Sequence, residues 1–214
     1  MNKIISPSLL SANFIDLRND IKIVENLGME RIHLDVMDGH FVPNLTFGPF
    51  IIKQIRKMTN LHLETHLMIK NPHKYIKDYA DAGSDTIIIH YEASNDIVHD
   101  LKMIRNFDKL AGIAINPDTD YKSIIKYLDH IDYILIMSVF PGFGGQSFID
   151  STLESMNGLV EARADKNILI GVDGGVNLKT IKKVYSTGID ITITGSAFYG
   201  AEDRASRYTE LLNA

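Results

Sequence analysis

Cysteine is absent from this 214-residue chain, which removes disulfides, thiolate metal sites and cysteine nucleophiles together. Positive charge is also scarce, since 22 Lys and Arg stand against 27 Asp and Glu for a formal charge of −5. A nucleic-acid groove needs clustered basic side chains to displace counterions, so that class of partner is not expected. No apolar run approaches the ~20 residues of a membrane helix. The opening Met1-Asn2-Lys3-Ile4-Ile5-Ser6-Pro7 carries no signal-peptide core either. With 45% hydrophobic and 23% charged residues the composition is globular rather than disordered. A cytoplasmic protein with one domain over residues 1–214 is the expectation. Mild acidity leaves a small phosphorylated ligand open, because backbone N–H groups bind phosphate without net positive charge.

What is present is alternation. Apolar or β-branched runs at 4–10, 31–37, 61–68, 86–92, 110–116, 133–139, 168–172 and 191–194 read as strands. Between and after them, helical spacing appears at 16–27, 48–58, 71–82, 96–107, 121–128, 151–164, 177–187 and 202–212. Strands alternating with helices of this length imply right-handed crossovers and a parallel sheet. Eight such units in about 200 residues suit a (β/α)8 TIM barrel, with a doubly wound open sheet as the competing architecture.

Active residues of either architecture belong at the C-terminal ends of strands. Ser8 follows the first strand, His33 and Asp35 lie on the second, His66 on the third, and Asp173 ends the seventh. His33 and Asp35 are two apart and share a face. If His66 and Asp173 also face the barrel axis, two imidazoles and two carboxylates meet near its mouth. That donor set suits one divalent zinc, iron, manganese or cobalt ion. His90 also ends a strand, but Ile88 two residues before it is apolar, so it is set aside. His40, His62, His99 and His130 read as surface or loop residues.

Glycine clusters at three late strand ends: Gly142-Phe143-Gly144-Gly145, Gly174-Gly175 and Gly195-Ser196. Glycine lets backbone amides approach a phosphate closely, and barrels often hold phosphate after strands seven and eight. Neither a Walker loop nor a dinucleotide fingerprint is present. Met37, Met68 and Met137 also fall near strand ends, where they fill core or form a polarizable, water-poor wall beside the reacting carbon.

The chain resembles the ribulose-phosphate 3-epimerases. The likeness runs through Ser6-Pro7-Ser8-Leu9-Leu10-Ser11-Ala12, the block from Ile32 to Asn44, and His66-Leu67-Met68-Ile69. It continues through Pro141 to Phe148, Val172 to Asn177, and Gly195-Ser196-Ala197. The resemblance implies a TIM barrel with one divalent metal, no organic cofactor and a homo-oligomeric state. It implies His33, Asp35, His66 and Asp173 as metal ligands, with Asp35 and Asp173 as acid/base groups on opposite faces of the substrate. Ser8 and His66 would contact that substrate, and the three glycine elements would hold its phosphate. The implied reaction interconverts D-ribulose 5-phosphate and D-xylulose 5-phosphate. An epimerase of a six-carbon ketose phosphate such as allulose 6-phosphate is the alternative, and a non-catalytic sugar-phosphate sensor is another. A metal-free barrel decarboxylase would need a Lys where Val36 or Met37 stands.

Five residues at four places depart from the family pattern. Asn13 replaces an Asp, Phe140 an Asn, Gly171 a Glu, and Glu64-Thr65 an Asp-Val. Glu64 and Gly171 lie two residues before His66 and Asp173 and therefore point into the layer beneath the expected metal. Either Glu64 fills the space and charge lost at 171, or the site tolerates the two changes independently.

Overall fold

Residues 3–214 are described by a computed structural model. Eight parallel strands form one sheet: β1 (Ile4–Pro7), β2 (Arg31–Met37), β3 (His62–Met68), β4 (Thr86–His90), β5 (Leu110–Ile115), β6 (Tyr133–Met137), β7 (Leu169–Asp173) and β8 (Ile191–Thr194). Neighbours in sequence are neighbours in the sheet, and β1 pairs with β8. A parallel bridge between Ser8 and His33 brings β1 against β2 and closes the cylinder. This is the TIM barrel that the alternation predicted, and the open sheet is set aside.

Helices α1 (Leu17–Asn26), α2 (Pro49–Arg56), α3 (Ile76–Ala82), α4 (Ile97–Asn106), α5 (Lys122–Ile125), α6 (Thr152–Arg163), α7 (Ile181–Tyr185) and α9 (Arg204–Asn213) surround it. A short extra helix, α8 (Ser196–Tyr199), starts at the end of β8, where the sequence suggested only a glycine turn. Several elements are shorter than their periodicity implied, each for a local reason. The first strand stops at Pro7 because the Ser8 side chain accepts from Leu10 N and starts a 3-10 turn. Asn71 adopts φ 54°, so the helical pattern from 71 resolves into a turn at Pro72–Lys74 and then α3. The fourth strand ends at His90, and Tyr91–Ala93 curls into a 3-10 turn.

Packing divides into two main cores. The larger lies between barrel and helices and takes outward strand residues such as Ile32, Leu34, Leu63, Ile87, Ile113 and Ile134. The smaller fills part of the lumen with Ile88, Ala114, Leu135, Met137, Ile191 and Ile193. The rest of the lumen is polar, with Ser6, His33, Glu64 and His66 all buried.

At the N-terminal floor of the barrel one device recurs. Asp85, before β4, accepts from Leu63 N of β3 and pairs with Arg56 at the end of α2, both at 2.8 Å. Asp132, before β6, accepts from Ala111 N of β5 and pairs with Arg105 of α4. Asp190, before β8, accepts from Ile170 N of β7 and pairs with Arg163 of α6. Each carboxylate thereby ties a helix end and two neighbouring strands together. No ion pair of this kind joins β1 to β2 among the described residues.

Candidate active site

The C-terminal mouth of the barrel opens into a cavity of about 240 Å³. Strand alternation aims Arg31, His33, Asp35 and Met37 of β2 inward, and Glu64, His66 and Met68 of β3 beside them. Asp173 reaches the same place from β7, three strands around the sheet from β2. One donor atom from each of His33, Asp35, His66 and Asp173 lies within 4.8 Å of the others. Three of the four are buried, and the Asp173 side chain is 17% exposed at the mouth. The expected convergence is therefore present in the geometry.

Each side chain is held from behind. Ser8 Oγ donates to Asp35 Oδ2 at 2.5 Å. His66 Nδ1 stands 3.1 Å from Asp35 Oδ1. His33 Nδ1 faces Glu64 Oε2 at 3.4 Å, and its Nε2 points at Asp35 Oδ1 (3.4 Å) and Asp173 Oδ2 (3.9 Å). That Nε2 is buried with no hydrogen-bond partner. An orphaned buried nitrogen is costly, and this one is aimed where two carboxylates converge.

The electrostatics ask for positive charge at that point. Burial works to raise Asp35, but the two imidazoles outweigh it and hold the carboxyl well below its usual range. For Asp173, burial and then the neighbouring Asp35 charge both act upward, to about 7. Burial would depress His33, yet Asp35, Glu64 and Asp173 prevail and raise it well above its ordinary value. His66 goes the other way, to about 3, because burial is reinforced by His90 and His33. One imidazole drawn towards a positive charge and one neutral imidazole thus share a site with one ionised and one half-ionised acid, and a divalent cation would stand in place of the His33 Nε2 proton. The donor chemistry and the orphaned Nε2 both fit a divalent cation.

Beneath the cluster, Glu64 accepts from Arg31 Nη1 at 2.6 Å and from Ser6 Oγ at 2.8 Å. Burial pushes Glu64 upward, but His33 and Arg31 overcome it and hold the carboxyl down at about 2. The expectation that Glu64 fills the space lost at 171 needs correction. A Cβ at Gly171 would lie 2.2 Å from the Tyr133 hydroxyl, so the phenol of β6 takes that volume. Glu64 replaces a charge in the layer, and Tyr133 replaces bulk.

The glycine elements line the cavity as expected. Gly142, Phe143, Gly144 and Gly145 approach from the β6–α6 loop, Gly174 and Gly175 follow β7, and Gly195 and Ser196 follow β8. Gly174 adopts φ 111°, and a Cβ there would lie 2.4 Å from Val139. Only glycine fits both conditions. Gln146 Nε2 donates to the carbonyls of Phe140 and Phe143, and Asn44 Nδ2 to that of Gly142. These three bonds shape the loop. Phe140 itself is exposed, and Asn13 serves as a cap, accepting from Ile15 N. Met37, Met68 and Met137 line the same cavity. The first two pack with Val42, and the third joins the apolar lumen.

The dismissal of His90 also needs correction. It is fully buried, and its Nε2 lies 2.8 Å from His66 Nε2. Apolar Ile88 carries no information about it, because the partner stands on the neighbouring strand. Arg31 and Ser6 escape the sequence reading too, although both lie two residues before an assigned site residue on the same inward face.

A profile of the ribulose-phosphate 3 epimerase family matches residues 4–199. The chain belongs to that family. Ribulose-phosphate 3-epimerase of Bacillus subtilis (strain 168) is 42% identical over 210 residues, covering 97% of each chain. The chloroplastic ribulose-5-phosphate-3-epimerase of Arabidopsis thaliana is 43% identical over 206 residues, covering 94% of this chain and 73% of that one. The activity of this chain is accordingly that of an epimerase. Among solved structures, KGPDC from Streptococcus mutans aligns with TM-score 0.71 at 15% identity, over 100% of this chain and 98% of that one. At that identity the likeness concerns the barrel alone.

Proposed function

We propose that this epimerase interconverts D-ribulose 5-phosphate and D-xylulose 5-phosphate by moving the C3 proton between Asp35 and Asp173. Its relatives carry ribulose phosphate in their names, and the two acids sit on strands well separated around the mouth. His33, Asp35, His66 and Asp173 would hold one divalent ion, for which zinc, iron, manganese and cobalt are all suitable. When bound, that ion supplies Lewis acidity for the negative charge that develops on the sugar oxygens as the proton leaves.

Inversion at carbon needs a base on one face and an acid on the other. The unlike environments of the two carboxyls provide that division. Asp35, ionised and held by Ser8, takes the C3 proton. Asp173, half-ionised, returns one from the opposite face, and the roles exchange in the reverse direction. Because the two groups influence one another, they titrate as a pair. The methionine wall keeps the reacting carbon dry. The phosphate is assigned to Gly174-Gly175, Gly195-Ser196 and the Gly142–Gly145 loop, in keeping with barrels that hold phosphate after strands seven and eight beside a short extra helix. No organic cofactor enters this scheme.

The single observation that carries this reading is the set of four donors within 4.8 Å, with an unpartnered His33 Nε2 among them. Incubation in D₂O with ribulose 5-phosphate and, separately, with allulose 6-phosphate, before and after chelation, tests it. Solvent deuterium at C3 that is lost on chelation and restored by added metal is the expected result. Label appearing only in allulose 6-phosphate would transfer the activity to the six-carbon sugar. Tight binding of either sugar without exchange would make the chain a sensor.

A further inference from the structure

We propose that His90 and Glu92 act together as a positioning relay, fixing the tautomer and ring plane of His66 so that its Nδ1 is free for the metal. The proposal rests on the reading of His66 as a ligand and concerns two residues outside the ligand set.

Counting protons along the chain of contacts carries the argument. Glu92 Oε1 accepts from Asn116 N at 2.8 Å and from the Thr119 hydroxyl, which anchors the carboxylate on the β5–α5 loop. Its other oxygen, Oε2, lies 3.1 Å from His90 Nδ1. A carboxylate only accepts, so His90 Nδ1 carries the hydrogen. Two ring nitrogens 2.8 Å apart share one proton, and His90 Nε2 and His66 Nε2 are such a pair. A neutral His90 offers Nε2 as acceptor, so His66 Nε2 must be the donor. The lone pair of His66 is then on Nδ1, facing Asp35 and the cluster. The opposite arrangement puts a hydrogen on Nδ1 and blocks it as a ligand. It also requires a charged His90 one ring away from a cation.

Packing keeps the relay in register. The His66 and His90 rings stack at 4.9 Å with planes 26° apart, and Phe41 lies over His90 at 4.8 Å. Both imidazoles are fully buried, so water does not compete for these bonds. The 3-10 turn at Tyr91–Ala93 is what folds Glu92 back onto His90. Without that turn, a residue two positions beyond His90 would continue along the strand instead.

Removing an outer partner of a metal-bound histidine typically weakens metal affinity by about 10–100-fold. The test uses Co²⁺ on the full chain, with affinity measured against a chelator and the visible d–d spectrum recorded. Glu92→Gln and His90→Phe are each expected to weaken Co²⁺ binding by about 10–100-fold. The double variant should lose little more than either alone, because both act through one contact. In ¹⁵N-histidine spectra the Nε2–H tautomer of His66 should dominate in the parent and be depleted in Glu92→Gln. Glu92 is partly exposed, so its variant carries the test alone if His90→Phe fails to fold. Parent-like Co²⁺ affinity, spectrum and tautomer in a folded Glu92→Gln would overturn the relay. Failure of the parent to bind Co²⁺ would instead overturn the metal reading itself.

Discussion

Two sectors of the barrel lumen share one backbone geometry and differ in everything else. On β4–β6 and β8 the inward positions below the mouth include Ile88, Ala114, Tyr133, Leu135, Ile191 and Ile193, an apolar cluster, while His90 at the end of β4 belongs with the polar sector. On β1–β3 and the turn after β1 they include Ser6, Ser8, Arg31, His33, Asp35, Glu64 and His66, buried to nearly the same degree. An uncompensated charge in such a place costs several kcal/mol. The polar sector survives because each charge has a partner: Arg31 for Glu64, Glu64 for His33, His33 and Ser8 for Asp35. One sector therefore fills space, and the other stores a geometry.

The largest effect should come from the acids that bridge the polar sector to the mouth. Asp35→Asn and Asp173→Asn are each expected to slow deuterium exchange at C3 by about 10²–10⁴-fold. Exchange at the parent rate in either variant would break the two-acid assignment.

Glu64→Gln comes next, since it leaves buried Arg31 without its counter-ion, at a cost of about 3–5 kcal/mol. The pH dependence has a definite sign. Glu64 is held at about 2, below its ordinary value of 4.5, so the folded state favours the ionised form. Its stabilisation is complete above about pH 4.5 and is lost as the pH falls towards 2. Denaturant melts across that window should slope steeply in the parent and less in Glu64→Gln. Equal slopes would show that the pair does not matter to folding.

Leu135→Ala probes the apolar sector. A loss of about 2–5 kcal/mol is expected from the lost burial and the cavity left behind, with Co²⁺ affinity unchanged. Metal binding that weakens in step with stability would dissolve the division between sectors.

The smallest effect belongs to the Tyr133–Gly171 contact. Gly171→Ala should cost about 1–3 kcal/mol through overpacking against the phenol. Tyr133→Phe should be close to neutral, because the hydroxyl it removes is buried without a partner, and it should restore part of the loss in the double variant. Additive costs would mean that the two side chains do not meet.

How much of this was legible in the sequence follows from the same contrast. The barrel order and the outward core were readable because strand and helix periods depend on nearest neighbours along the chain. His33 and Asp35 were readable for the same reason, being two apart on one strand. The inward direction of Arg31 follows from the same alternation, two residues before His33. The His66–His90 contact was not available, since its partners lie on adjacent strands and the ionisable side chain stands beside isoleucine in the sequence. The Tyr133–Gly171 exchange was hidden in a similar way: the bulk missing from β7 is supplied by β6.

The floor clamps bear on where the molecule opens. Three strand pairs, β3–β4, β5–β6 and β7–β8, are each riveted by an aspartate and an arginine. Among the five pairs without such a rivet, β1–β2 is the weakest joined, held by the Ser8–His33 bridge where the others have a full ladder. Amide exchange should therefore begin along that seam, which also holds Ser8 against Asp35. A protein built this way would disarm its chemistry long before its cylinder comes apart, and a ligand spanning the mouth would act as a rivet across that seam.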